Sequence, residues 1–169
     1  MSFYLIFKTP FGEAAIVFRR EPFALIEIGL PRGKQEALLA AFKKPGRSQS
    51  GSHEKAVALA ESINAYFKGK PLQPPWHWMD MGGLTPLQRA VLTATADIPY
   101  GELRSYREVA EAVDRPRAYR SVGSALAKNP FPLLIPCHRV IRSDGSYGCF
   151  GGGTDLKKRL IELEAKQAV

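Results

Sequence analysis

Residues able to do covalent chemistry cluster late in this sequence. Cys137 and His138 are adjacent in Pro136-Cys-His-Arg-Val140, reached through the apolar, proline-rich run Pro130-Phe-Pro-Leu-Leu-Ile-Pro136. Such an approach fixes a cysteine in a partly buried place, where a thiol is ordinarily inert packing. A neighbouring His and Arg argue otherwise, because a proton acceptor or a positive charge raises the thiolate fraction, and thiolate is the nucleophile. Sequence neighbours need not meet in space, so the pair alone leaves both readings open. A carboxylate adds to it. At about 100° per residue, Leu156, Leu160, Ile161 and Leu163 form the apolar arc of a last helix that Thr154 can cap, and Glu164 falls inside that arc. Glu162 falls opposite, beside Lys158, as a solvated pair would. A carboxylate aimed into a core needs a partner. His138 is the candidate, giving a cysteine–water–histidine–glutamate relay. The alternative is a Glu164 that curls to solvent from a frayed helix end.

Three helices must position these groups. Thr85-Pro-Leu-Gln88 places a cap, a first-turn proline and a capping-box glutamine ahead of a helix that runs to about Asp97. Ser105-Tyr-Arg-Glu108 is a second capping box and opens a short helix to Val113. Asp114-Arg-Pro116 turns the chain, and a third helix runs to about Lys128. Two short helices joined by a tight turn make a helix-turn-helix pattern, which also occurs in cores that never touch DNA. In the third helix Ala118, Tyr119, Val122, Ala125 and Leu126 fall on one arc, the expected buried stripe. Arg120, Gly123, Ser124 and Ala127 fall on the other side. Small side chains around a single arginine suit a packed interface, or a helix that enters a nucleic-acid groove with Arg120 reaching inward. The loop Gly148-Cys-Phe-Gly-Gly-Gly153 could wall a pocket or simply turn the chain, and it matches no phosphate-binding fingerprint.

The first part of the chain reads as strands over Ser2–Lys8, Glu13–Arg19 and Phe23–Ile28, broken by Pro and Gly, which predicts a small antiparallel sheet. Lys43–Ser52 reads as a mobile polar loop. Ala56, Leu59, Ala60, Ile63 and Phe67 recur at helical spacing, and Gly69 closes that helix. Pro71 to Gly83 reads as a linker. The expected fold class is therefore α+β, with a sheet-and-helix domain over 1–83 and a helical domain over 84–169.

The 169 residues suffice for a core without disulfides, and two cysteines exclude a disulfide-built scaffold. No apolar run nears the ~20 residues that span a bilayer. Met1–Phe7 lacks the basic lead-in of a signal peptide, so a cytoplasmic location and no membrane partner are expected. The net charge of +8 suits a polyanion. The positive excess is equal on the two sides of Gly83, so charge alone locates no binding face.

Ile98-Pro-x-Gly101, Ser105-Tyr106, Arg120-Ser-Val-Gly123, Asn129-Pro130, Pro136-Cys-His-Arg-Val140 and Leu160-x-x-x-Glu164 stand in the order and spacing of the O6-alkylguanine-DNA alkyltransferases. Over residues 84 to 165 the chain resembles that family. The resemblance implies a ribonuclease-H-like first domain. It also implies irreversible, single-turnover transfer of an alkyl group from O6-alkylguanine, and from O4-alkylthymine, in double-stranded DNA. Cys137 would accept the alkyl group, His138 would act through a water as its base, and Glu164 would orient the imidazole. Tyr106 would protonate or polarise the leaving guanine and rotate the flanking phosphate. Arg120 would fill the space of a flipped base. Asn129 would brace the turn before the cysteine, and the backbone of Cys137 and Val140 would read the guanine amino group. The loop at Phe150 and Gly151 would close over the alkyl group. Many members carry Tyr then Ser there, which implies a different pocket rim in this chain. No cofactor is expected, and no structural zinc, since no cysteine precedes Cys137. No obligate protein partner is expected, and the protein is read as a monomer. Two rivals remain: a binding-only relative, in which tryptophan usually replaces the cysteine, and a cysteine hydrolase built on the same three residues.

Overall fold

The computed structural model describes residues 1–31 and 49–168. The chain is α+β and divides into two compact units, Met1–Asp80 and Met81–Val169. In the first, β1 (Phe3–Thr9) and β2 (Gly12–Arg19) form a hairpin, paired from Phe3↔Phe18 to Thr9↔Gly12. β3 (Ala24–Gly29) continues antiparallel on β2, with a register shift at Val17/Phe18. Ala14 to Phe18 of β2 are all buried, as expected of a central strand with both faces covered.

The sheet is mixed, not purely antiparallel. β4 (Gln49–Ser50) adds parallel to β1, giving the order β3-β2-β1-β4. This strand was not expected, because Gln49 and Ser50 are polar and exposed. Their backbones pair all the same: Gln49 N–H donates to Ser2 C=O at 3.1 Å, and Gly51 N–H to Tyr4 C=O at 3.0 Å. An edge strand needs ladder bonds more than apolar side chains. The rest of the expected polar loop, residues 43–48, lies outside the described residues.

The next helix, α1 (Glu54–Tyr66), buries Ala56, Leu59, Ala60, Ile63 and Tyr66. Past it the chain does not run free to Gly83. Met79 is buried, and Asp80 N–H donates to the Leu25 carbonyl at 2.8 Å, which ties this stretch to β3.

The second unit opens with α2 (Pro86–Ala96), where the Thr85–Gln88 capping box is fully formed. β5 (Arg104–Ser105) leads directly into α3 (Tyr106–Ala112), capped by the Ser105–Glu108 box. Each such cap stabilises its helix by about 1 kcal/mol. After the Asp114 turn (φ 57°), α4 (Tyr119–Ala127) buries Val122, Ala125 and Leu126. Tyr119, expected in that stripe, is instead 42% exposed. It is the first residue of the helix, and long helical side chains lean toward the preceding turn, which is missing there. A 3₁₀ turn at Cys137–Arg139 feeds β6 (Val140–Ile141), which pairs parallel with β5. The last helix, α5 (Thr154–Gln167), buries Leu156, Lys157, Leu160 and Glu164. Gly153, at φ 91°, is its N-cap; Thr154 lies inside the helix and does not cap it. No helix among the described residues is long and apolar enough to cross a membrane.

Candidate active site

The β5–β6 pairing builds the site. It sets Ser105 beside Ile141, so the start of α3 lies against the strand that leaves Cys137–Arg139. Asn129 shapes the approach. Its side-chain amide donates to the Ile135 carbonyl at 3.0 Å, and its Oδ1 accepts the Phe131 N–H at 2.9 Å. These bonds bracket a turn in which Leu133 holds φ 72°, a left-handed conformation that costs roughly 1–2 kcal/mol.

Glu164 is the hub. It is buried on α5, with Oε1 2.6 Å from His138 Nε2. Arg139 closes a fork on the same carboxylate, Nε to Oε2 at 2.9 Å and Nη2 to Oε1 at 2.9 Å, while its Nη1 donates to the Ile98 carbonyl at 2.6 Å. Gly101 N–H also donates to Oε2, at 3.1 Å. Gly101 sits at φ 81°, and a Cβ there would lie 2.7 Å from Ala168 Cβ, so only glycine fits. Burial alone would raise the Glu164 pKa, but the hydrogen bonds from His138 and Arg139 and the charge of Arg139 outweigh it and hold the carboxyl below the usual range.

His138 has no exposed surface, and burial pushes its pKa down against the pull of Glu164. We take the imidazole as neutral, since Arg139 already balances the carboxylate. A neutral ring that donates from Nε2 to Glu164 offers Nδ1 as its acceptor. Burial also pushes the Cys137 thiol up, while the Asn129 hydrogen bond and the Lys157 charge pull it down. The sulfur therefore rests as a thiol and needs a base. The charge of Arg139, two residues from Cys137 in sequence, is committed to Glu164.

Tyr106, Arg120, Gly123, Ser124 and Ala127 all line one cleft of about 730 Å³. Gly123 lies against the Tyr106 ring, where a Cβ would touch at 3.8 Å. Gly148 lies against its hydroxyl, where a Cβ would come within 2.6 Å. On the loop side the cleft is lined by Arg142, Ser143, Asp144, Gly148 and Cys149; Phe150 and Gly151 do not line it. Phe150 instead sets its ring edge toward His138, centroids 6.4 Å apart. The Val140 carbonyl accepts from Lys157 Nζ at 2.6 Å. Lys157 is the residue that sequence reasoning missed. It is fully buried, faces the Tyr106 hydroxyl at 3.5 Å, and burial pushes its pKa down to about 8. The available signal was positional: Lys157 directly follows Leu156 of the apolar arc, whereas Lys158 lies on the solvated side. Among the described residues, no group of three His, Cys, Asp or Glu could hold a metal ion.

The family model for the DNA-binding domain of 6-O-methylguanine DNA methyltransferase matches residues 86–166. A methylated-DNA–protein-cysteine methyltransferase of Methanothermobacter thermautotrophicus is 43% identical over 145 residues, 83% of this chain and 80% of that protein. One of Methanosarcina barkeri is 44% identical over 105 residues, 62% of this chain and 65% of that protein. The crystal structure of Mycobacterium tuberculosis OGT in complex with DNA superposes with a TM-score of 0.76 at 31% identity, covering 98% of this chain and 94% of that one. Matched domain and fold define the class, a methyltransferase of DNA repair. The chain belongs to the methylated-DNA–protein-cysteine methyltransferase family.

Proposed function

We propose that this protein repairs O6-alkylguanine in duplex DNA by moving the alkyl group once, irreversibly, onto Cys137. The observation that carries the reading is the buried Glu164–His138 bond of 2.6 Å, made by the residue that directly follows Cys137. Glu164 fixes the imidazole, and His138 Nδ1 takes the thiol proton through a water. The sulfur attacks the alkyl carbon in line, the carbon–O6 bond breaks, and a thioether forms that ordinary reductants do not reverse. Guanine leaves well only if its ring gains a proton, and Tyr106 is the donor. Its pKa is pushed up by burial and by both cysteines, so it is protonated at neutral pH.

The target atom is out of reach within a stacked duplex, so the base is flipped into the site. α3, its turn and α4 act as a helix-turn-helix, with the small-residue face of α4 in a groove and Arg120 in the vacated stack. The first unit is read as ribonuclease-H-like. The protein acts as a monomer in the cytoplasm, without cofactor.

The test is intact mass after incubation with O6-methylguanine duplex, followed by peptide mapping. One methyl, on Cys137, is expected. Methyl on Cys149 with Cys137 unmodified, repeated turnover, or no gain would overturn the proposal.

A further inference from the structure

Among the described residues, Lys157 is a buried cation of the site to which the proposed reaction assigns no proton step. Its ammonium has three donors. One reaches the Val140 carbonyl at 2.6 Å, which accounts for the burial. Another faces the Tyr106 hydroxyl at 3.5 Å, and Nζ stands 5.6 Å from the centre of the Tyr106 ring. The remaining charged or ionisable groups that act on it are Cys137, Cys149 and Arg142. A cation so placed has little effect on neutral tyrosine and a large one on tyrosinate, because charges interact strongly where water is excluded.

We infer that Lys157 acts through Tyr106, holding and then replacing the proton that Tyr106 gives to the departing guanine. The inference rests on the alkyl-transfer reading. In the step, the sulfur–carbon bond forms and the carbon–O6 bond breaks. The thiol proton goes through water to His138, and the Tyr106 proton goes to a guanine ring nitrogen. The Lys157 ammonium passes a proton to the tyrosinate, and solvent moves a proton from His138 back to Lys157. The sum is one thioether and one neutral guanine. The lowered pKa of Lys157 makes that gift feasible near neutral pH.

The full chain carrying Lys157→Met, Tyr106→Phe or both is reacted with O6-methylguanine duplex and, separately, with methyl iodide, whose leaving group needs no proton. Lys157→Met should slow transfer from DNA at least about 10-fold and slow the methyl iodide reaction of Cys137 far less, through the lost pull on the thiol alone. Added to Tyr106→Phe, it should cost little more. Equal losses with both reagents would mean that Lys157 serves the thiolate, and independent losses in the double variant would separate it from Tyr106. Either result overturns the inference. Should Lys157→Met not fold, the pH profile of the unsubstituted chain decides. The rate of transfer from DNA relative to the methyl iodide rate should fall as pH rises through about 8, where Lys157 loses its proton, and a ratio that does not fall overturns the inference. Failure of the underlying reading looks different: the unsubstituted chain gains no methyl on Cys137 from DNA.

Discussion

Glu164 accepts from His138, Arg139 and Gly101, and this explains both the rigidity of the site and its dependence on one carboxylate. Replacing it strands Arg139, a buried cation, and frees the imidazole to turn. Glu164→Gln should therefore cost about 3 kcal/mol of stability in urea unfolding and slow methyl transfer by at least about 10-fold. The sign of the pH dependence follows from the lowered pKa. The folded value lies below the unfolded one, so the contribution is full above the ordinary carboxyl value of about 4.3. It is lost as pH falls from there toward the folded value. Melting temperatures across acid pH should fall less steeply in Glu164→Gln than in the unsubstituted chain. Parallel curves would mean that the carboxylate is not what acid titrates.

At the scale of elements, the proposed function gives α4 recognition and leaves chemistry to the cysteine turn. Val122, Ala125 and Leu126 hold it to the unit, and the opposite face lines the cleft through Arg120, Gly123, Ser124 and Ala127. Arg120 is exposed and lies away from the Cys137–His138–Glu164 cluster in sequence and in bonding. If it replaces a flipped base, Arg120→Ala should slow repair of duplex DNA by about 10-fold or more, since flipping costs a few kcal/mol. Demethylation of the free base, which needs no flipping, should change by less than about twofold. Binding to duplex is measured alongside, because a phosphate-range charge is lost as well. Equal slowing on base and duplex would assign Arg120 to the pocket.

At the scale of the whole molecule, a net charge of +8 should meet the phosphate backbone through lysine and arginine contacts. Cys137→Ala should still bind duplex, since the proposed reading places binding on α4 and basic side chains that do not use the thiol, and its affinity should fall linearly with the logarithm of salt concentration. A dissociation constant that does not change from low to moderate salt would contradict an electrostatic footprint.

Local chemistry determined much of this protein. The two capping boxes, the apolar stripe of α4 and the helical spacing of α5 are short-range patterns of propensity and period, and so legible in sequence. The same count set Glu164 inward and Glu162 outward, the latter 4.0 Å from Lys158 on the surface. What tertiary structure alone decided is non-local. Strand β4 joins by backbone bonds that its polar side chains do not signal. The short β5–β6 pairing has no hydrophobic alternation to betray it, yet it brings Tyr106 to the cysteine turn. Arg139 looked like the cation beside the thiol, and the fold spends it on Glu164. No sequence motif singles out Lys157, and the fold buries it against Tyr106. A charge acts on whatever the packed chain brings within a few ångströms, and sequence distance does not measure that.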